Sequence, residues 1–208
     1  AILLAICIFK MDKVVQFLVG LLPLEYGIQD VDEPICVLYD SSLLVHLTIR
    51  RCGVTYGWSI CYPFVALFHC FGLVLGIINC LVHHCTMVVT ERFDPLLVLG
   101  SIHKERCTHL YGVPTMYLGL LNHPMFNLFD LRSLQAGIMA GSICPVNIVK
   151  RVEREMFMKV TSEYGFTEAS PGMTATRWDD PFDVRCHTVG KAFEHAEVKV
   201  LDKEGKEC

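Results

Sequence analysis

Tyr164, Gly165, Phe166, Thr167 and Glu168 put an aromatic face, a glycine, a hydroxyl and a carboxylate into one short stretch, within the segment TSEYGFTEASPGM. Each type suits a phosphorylated aromatic ligand. A tyrosine ring offers a π face for a base. Glycine lets backbone approach a flat ring or a phosphate. Thr167 can donate to a phosphate oxygen. Glu168 supplies the hard carboxylate oxygen that Mg2+ takes. Upstream, Met158 and Val160 predict a strand over Met158 to Ser162. Downstream, Pro171 and Gly172 predict no regular element. The polar group is therefore expected on a loop at the C-terminal end of a strand, the edge where open parallel sheets bind ligands. Five residues alone also fit an ordinary turn with a solvated glutamate.

A second glycine-bearing loop, Ala140-Gly141-Ser142, follows the apolar run Ala136 to Met139. If both runs are neighbouring parallel strands, both loops open on one edge. The elements needed for that arrangement are readable from residue 90 onward. Asp94-Pro95 predicts a helix start, with proline at the first position where no N–H is required. This helix is expected to run to about Arg106, with Leu96, Leu99, Ile102 and His103 on one side. His109 to Tyr111 reads as a strand, Gly112-Val113-Pro114 as a turn, and Thr115 to Leu121 as a helix stopped by Asn122-His123-Pro124. Pro145 opens a helix to Met156 with Val146, Val149, Val152 and Met156 on its apolar face. Alternating strands and helices predict an α/β fold with a parallel sheet layered with helices. Glu197 to Leu201 alternates polar and apolar residues before a turn at Asp202 to Gly205. It reads as a half-exposed antiparallel strand entering a hairpin whose partner is absent.

The first part of the chain is less legible. Residues 1–24 are apolar but interrupted by Lys10, Asp12 and Lys13, and a buried helix is the plain expectation. Ile35 to Tyr39 reads as a short buried strand. Asp40-Ser41-Ser42 follows it, without the glycines and lysine of a phosphate loop. Ile60 to Thr90 carries no Asp, Glu, Lys or Arg, which is long enough for a membrane span. Pro63, Gly72, Gly76, Asn79 and three histidines interrupt it, and a buried helix running into a strand at Met87 to Thr90 explains it as well.

Composition narrows the class. Of 208 residues, 52% are hydrophobic, with a formal net charge of −4. Mean hydropathy is +0.42 and the pI about 6.1. No basic stripe exists for a nucleic acid to follow. Eleven cysteines lie mostly within apolar runs and none form a Cys-x-x-Cys pair. That pattern points to small buried hydrophobes in a reducing, intracellular compartment rather than to a disulfide framework or a zinc site. The chain begins at Ala1 without an initiator methionine and stops at Cys208 just after a turn, so both ends look cut.

Further segments join the two loops in order. They are Phe68-His69-Cys70-Phe71-Gly72, Leu110-Tyr111-Gly112-Val113-Pro114-Thr115-Met116, and Ile138-Met139-Ala140-Gly141-Ser142. After Tyr164 to Glu168 and Ala169-Ser170-Pro171 come Thr188-Val189-Gly190-Lys191 and Glu197-Val198-Lys199-Val200. In order and spacing, residues 60–207 resemble the adenylate-forming, AMP-binding acyl-CoA synthetases. More narrowly, they resemble medium-chain fatty-acid–CoA ligases of the acyl-CoA synthetase family member 2 type. The resemblance implies an incomplete large N-terminal domain of an adenylate-forming enzyme. Residues 1–31 would be a poorly matched segment, 32–208 a partial AMP-binding domain, and the C-terminal domain with its catalytic lysine absent. It implies ATP and a fatty acid giving an acyl-adenylate, then coenzyme A displacing AMP. By match, Thr167 would contact the α-phosphate and Glu168 would bind Mg2+. Tyr164 would stack on adenine, with Gly165 beside it and Gly141 and Ser142 on the other side. His69 would lie near the reacting carboxylate, and Gly112, Val113 and Gly137 would shape the acyl pocket. The expected partners are a medium-chain fatty acid, ATP and CoA, without nucleic acid or membrane. The expected location is mitochondrial, otherwise cytoplasmic.

The chain departs from the family in one loop. Asp32 to Tyr39 resembles the strand leading to the family's phosphate loop, but Asp40-Ser41-Ser42-Leu43 stands where glycines and Pro-Lys-Gly are expected. The interval from Pro34 to His69 is also shorter. An inactive fragment of a ligase is the first reading, a degenerate nucleotide- or acyl-binding relative the second, and a small membrane protein the third.

Overall fold

The structure is a computed structural model that describes residues 7–9, 60–63, 67–83, 85–169, 171–193 and 196–207. The expected strand at Ile35 to Tyr39 and the Asp40-Ser41-Ser42 loop lie outside the described residues.

The described strands are β1 (Cys7–Phe9), β2 (Ile60–Pro63), β3 (Thr86–Val89), β4 (His109–Gly112), β5 (Ala136–Ala140), β6 (Lys159–Gly165), β7 (Gly172–Ala175) and β8 (Lys191–Ala192). They form one sheet in the order β1-β3-β2-β4-β5-β6-β7-β8. The pairs β3–β2, β2–β4, β4–β5 and β5–β6 are parallel. β1, β7 and β8 add antiparallel edges. This is the mainly parallel α/β architecture that the alternating elements predict.

Helix α1 is π-helical over Phe71–Ile78 and runs on as the α-helix Asn79–Val82. The others are α2 (Pro95–Glu105), α3 (Pro114–Leu121), α4 (Val146–Glu155) and α5 (Phe182–His187). The start of α2 follows its sequence. The Asp94 carboxylate accepts from the Leu96 and Leu97 amides at 2.9 and 3.2 Å, and Pro95 takes the first position. Asp94 thus satisfies two of the donors that a helix start leaves open.

The sheet is covered on both faces. On one, Val98, Leu99 and Ile102 of α2, Tyr117 and Leu120 of α3 and Val149 and Val152 of α4 pack on Leu110, Met139 and Val160. Each aliphatic side chain fully buried in this way contributes about 1.5–3 kcal/mol. On the other, Phe71, Val74 and Leu75 of α1 pack on Tyr111, Ile138, Ala140, Ala175 and Phe193. Strands buried on both faces explain the near-continuous apolar runs of β4 and β5. A buried polar contact also links α1 to the sheet: Asn79 Nδ2 donates to the Tyr111 hydroxyl at 3.4 Å.

Several expectations are corrected. Cys7–Phe9 is a strand antiparallel to β3, not part of a helix; it extends the sheet edge beside Met87, Val88 and Val89. The charge-free run from Ile60 to Thr90 divides into β2, α1 and β3. Among the described residues no helix is long and apolar enough to cross a membrane. Leu96 and His103 are exposed and Val98 is buried, because α2 presents its 98–99–102 side inward. In α4 the buried residues are Ile148, Val149 and Val152, with Val146 only half-buried. Pro171-Gly172 does not bar a strand: Gly172 begins β7 and pairs back on β6. The tail is not a strand over Glu197 to Leu201. It is an extended segment with a single antiparallel bridge from Leu201 to Glu207, so the returning leg of the hairpin is present.

Candidate functional site

β4, β5 and β6 run parallel, and the register puts their C-terminal ends on one edge. Gly112 lies opposite Met139, and Ala140 opposite Glu163. Val113, Gly141-Ser142 and Phe166 to Glu168 leave the sheet from these ends, Tyr164 and Gly165 being the last residues of β6. Gly141 has a φ of 82°, and a Cβ there would lie 3.1 Å from Val113 Cγ1. The loop expected to line the nucleotide thus touches the loop expected to line the acyl pocket.

The polar stretch is less of a loop than its sequence suggests. β6 continues through Tyr164 and Gly165, and only Thr167–Ala169 turns, as a single 3-10 turn. The pairing with β7 shifts register between Tyr164 and Gly165. Such a bulge re-aims side chains at a strand end. A Cβ on Gly165 would collide with the carbonyl of Pro171, so the two backbones meet there without room for a side chain. Tyr164 and Phe166 stay 49% and 46% exposed, their rings 6.3 Å apart and tilted by 59°. Two large rings held open to solvent at a sheet edge offer a stacking surface.

The start of α1 reaches the same turn. The Cys70 thiol donates to the Thr167 hydroxyl at 3.7 Å. His69 is exposed, and its Nδ1 accepts the Phe71 amide at 3.2 Å. With Nδ1 as acceptor, the neutral ring carries its proton on Nε2, which is free to donate. Cys70, next to His69 in sequence, thus meets the turn that carries Thr167 and Glu168, with Gly141, Ser142, Val113 and Tyr164 at the C-terminal strand ends.

Gly137 is not brought there. It sits on the opposite face, under α3, where a Cβ would strike the Leu110 carbonyl and Met158 Cε. The Tyr117 hydroxyl donates to the carbonyls of Leu110 and Ile138 at 2.7 and 3.2 Å, on either side of Gly137. Its smallness serves helix–sheet packing. Gly112 is buried at the end of β4.

Sequence reasoning assigned no role to Cys70, Glu163 or Arg185. Glu163 is half-buried between Ala140 and Ala175, and desolvation pushes its carboxyl up to about 8. The available signal was a carboxylate inside a strand otherwise built of Val, Thr and Ser. Arg185, 4% exposed, donates to Glu153 and to the Val160 carbonyl, and the Ser162 hydroxyl donates to the Arg185 carbonyl at 2.8 Å. Arg185 and its partners tie α4 and α5 to the strand that ends in the site. A cavity of about 320 Å³ between Phe126, Phe129, Leu131 and Phe157 opens at the other edge and contains none of these residues.

For Mg2+, no cluster of three potential ligands exists among the described residues. Glu168 is exposed on the turn beside Thr167. A lone carboxylate suits Mg2+, which takes one or two carboxylates and completes its shell with phosphate oxygens and water.

A sequence profile for the family described as AMP-binding enzyme matches residues 44–208. The chain belongs to this family. YngI of Bacillus subtilis (strain 168), provisionally assigned as an acyl-CoA synthetase, is 48% identical over 143 residues, 68% of this chain and 26% of that protein. Human "Medium-chain acyl-CoA ligase ACSF2, mitochondrial" is 33% identical over 140 residues, 66% of this chain and 23% of that protein. The chain thus spans about a quarter of the length of these curated relatives. In structure, it is similar to the anthranilate CoA ligase AuaEII in complex with anthranoyl-AMP. The TM-score is 0.73 at 24% identity, over 81% of this chain and 33% of that one. The match shows a shared AMP-binding fold, here the N-terminal part of adenylate-forming enzymes.

Proposed function

We propose that this AMP-binding chain carries the adenylate-binding edge of an acyl-CoA ligase. The observation that supports the reading most is the contact between the Cys70 thiol and the Thr167 hydroxyl, which links the start of α1, the segment carrying His69, to the turn bearing Glu168. In the reaction, an acid carboxylate attacks the α-phosphorus of ATP and pyrophosphate leaves. The CoA thiol then attacks the acyl carbonyl and AMP leaves. Phosphoryl transfer needs positioning and charge stabilisation more than covalent help. Tyr164 stacks on adenine, with Gly141, Ser142 and Gly165 allowing close backbone approach. Thr167 donates to the α-phosphate, and the Nε2 proton of His69 orients the acid carboxylate. Gly112 and Val113 border the acyl chain. Glu168 would hold Mg2+, which would partly neutralise the charge on the phosphates.

The proposed acid is a medium-chain fatty acid, and the proposed compartment mitochondrial, both from the human relative. We also propose that the chain alone binds adenylate without turning over, because Asp40-Ser41-Ser42 replaces the glycine-rich phosphate loop. A non-hydrolysable octanoyl-sulfamoyl adenosine titrated by calorimetry tests the binding, and ATP–pyrophosphate exchange with octanoate tests turnover. Saturable binding without exchange is expected. Absence of binding would overturn the site; robust exchange would overturn the inactivity.

A further inference from the structure

The sheet edge opposite the adenylate turn carries a surface that the proposed reaction does not use. Its cavity of about 320 Å³ is walled by Phe126, Phe129, Leu131 and Phe157. That volume is at the low end for ligand pockets, so inserted side chains suit it better than a cofactor. Phe157 is 60% exposed, and Leu128, in the lining stretch, is 69% exposed. Burial within the fold accounts for neither. Phe157 also has a φ of 60°, and Arg106 one of 55°. Among the described residues these are the two non-glycine positions with positive φ. Both close helices at this edge, Arg106 ending α2 and Phe157 following α4. Such helix ends ordinarily take glycine or asparagine, and strain of this kind clusters where ligands are clamped.

The rim of the cavity is cationic. Asp130 accepts from Arg106 at 2.9 Å and from Arg132 at 2.8 Å. Glu155 accepts from Arg151 at 3.2 Å and from Arg154 at 2.6 Å. Each carboxylate meets two guanidiniums, so each group keeps a positive charge in excess. Asp130 and Arg132 flank Leu131 in sequence, and Glu155 itself lines the cavity. Arg132 and Arg154 are largely exposed, whereas the two carboxylates are mostly covered. The other carboxylates of α2 and α4 are already paired, Glu105 with Lys104 and Glu153 with Arg185. A cationic rim thus borders an apolar floor on a chain whose net charge is −4.

We propose that this groove docks an acidic peptide segment of a partner protein. A large apolar side chain of the segment enters between Phe129 and Phe157, and its carboxylates meet Arg132 and Arg154. Aromatic residues and arginine are the types that anchor protein interfaces. The excess positive charge sets the sign of the partner, and the cavity sets its apolar anchor. Phe126 and Leu131 form a recessed, buried floor that an inserted side chain reaches. A membrane surface would instead meet the protruding Leu128 and Phe157. Thr167 and Glu168 lie on the opposite sheet edge, so the inference stands apart from the adenylate reading.

The test is fluorescence anisotropy of a labelled synthetic peptide, Glu-Glu-Asp-Leu-Phe-Asp-Glu-Glu, titrated with the full chain. Saturable binding that weakens as salt is raised is expected. The same peptide with every acid replaced by its amide should bind roughly tenfold more weakly. The double variant Arg132→Glu, Arg154→Glu should weaken the acidic peptide by a similar factor. Phe157→Gly removes one wall and supplies the residue that the left-handed turn prefers, so it should weaken the peptide while leaving Tm equal or higher. The inference is overturned if the acidic peptide does not saturate, or if its amide form binds equally well. It is also overturned if either variant binds like the wild type, or if Phe157→Gly lowers Tm. Sedimentation with phosphatidylserine vesicles, or a concentration-dependent dimer, lost in the variants while the peptide fails to bind, would overturn it in favour of a membrane face or of self-association.

Discussion

The Cys70 thiol donates to the Thr167 hydroxyl at 3.7 Å, joining residues 97 positions apart. The contact moors the start of α1 to the turn that ends β6. A bound phosphate engaging Thr167 would lie over the thiol. Cys70 is half-buried and therefore accessible to a small alkylating reagent. Saturating acyl-sulfamoyl adenosine should slow its alkylation by iodoacetamide several-fold, read by peptide mass spectrometry. Equal rates with and without the analogue would place the adenylate elsewhere. Cys144 and Cys186, also half-buried, serve as internal references.

Thr167 and Glu168 are exposed on the same turn but have different roles. Thr167→Ala removes a donor to a charged phosphate, a loss of about 1.5–3 kcal/mol. Binding of the adenylate analogue should weaken by roughly tenfold or more, with little change in Tm. Glu168→Gln should leave binding of the acylsulfamoyl analogues, which carry no phosphate for Mg2+ to bridge, nearly intact while abolishing the Mg2+ dependence of ATP binding. Calorimetry with and without Mg2+ separates the two.

Gly190 has a φ of 76°, and a Cβ there would collide with the Ala175 carbonyl. Thr174 Oγ1 donates to the neighbouring Val189 carbonyl at 2.7 Å, holding this turn on β7. Gly190→Ala combines left-handed strain with a backbone clash, so the loss should exceed about 1 kcal/mol. Gly205, with a φ of 81°, has open space around it, and Gly205→Ala carries only the strain. Urea denaturation should order the two variants accordingly.

The fold was legible where local chemistry decided it. Asp94-Pro95 specifies a helix start through bonds that reach only two or three residues ahead. The apolar runs of β4 and β5 announce strands buried on both faces. What stayed hidden depends on distant partners. Gly172 reads as a strand breaker, yet in β7 it is required by Glu163 and Phe193, which leave no room for a Cβ. Gly137 reads as pocket lining, yet Tyr117 covers it from the other face. The site residues were visible as motif pieces, but not that the Cys70 thiol meets the Thr167 hydroxyl. That depends on α1 crossing the sheet, a packing outcome with no local signature. Glu163 went unread because a single carboxylate in a strand normally faces water.

Glu163 also makes stability depend on pH. Its ordinary value of 4.5 rises to about 8 on folding through desolvation. The unfolded chain then binds fewer protons than the folded one between these values, so stability falls as pH rises through that window. Glu163→Gln should remove this slope. His109, buried in β4 and lowered to about 4 by desolvation, acts in the opposite sense, weakening the fold as pH falls below its ordinary 6.5. The difference between wild type and Glu163→Gln, measured by urea midpoints across pH, isolates the glutamate. A difference that does not vary between pH 4.5 and 8 would show that the carboxyl is not desolvated.

Arg185 should be the costliest polar residue to remove. It is 4% exposed and donates to Glu153, to the Val160 carbonyl at 2.7 Å and to the Asp180 carbonyl at 3.1 Å. Arg185→Met strands all three acceptors, a loss of about 3 kcal/mol. Glu153, which is more exposed, should cost less when changed to Gln. Chemical denaturation of both variants gives the comparison.

The π-helical winding of Phe71–Ile78 amounts to a phase setting. Its far end is pinned by Asn79 on Tyr111, and its near end carries Cys70 to Thr167. Excising one residue from the wide turn would let ordinary α-winding return. It would also change the rotation and rise between the near and far ends. The hydrophobic face could re-seat on the sheet, but the histidine and thiol would point away from the turn. A one-residue deletion in α1 is therefore expected to preserve the fold and uncouple the site, a separation that point substitutions in the same helix would not achieve.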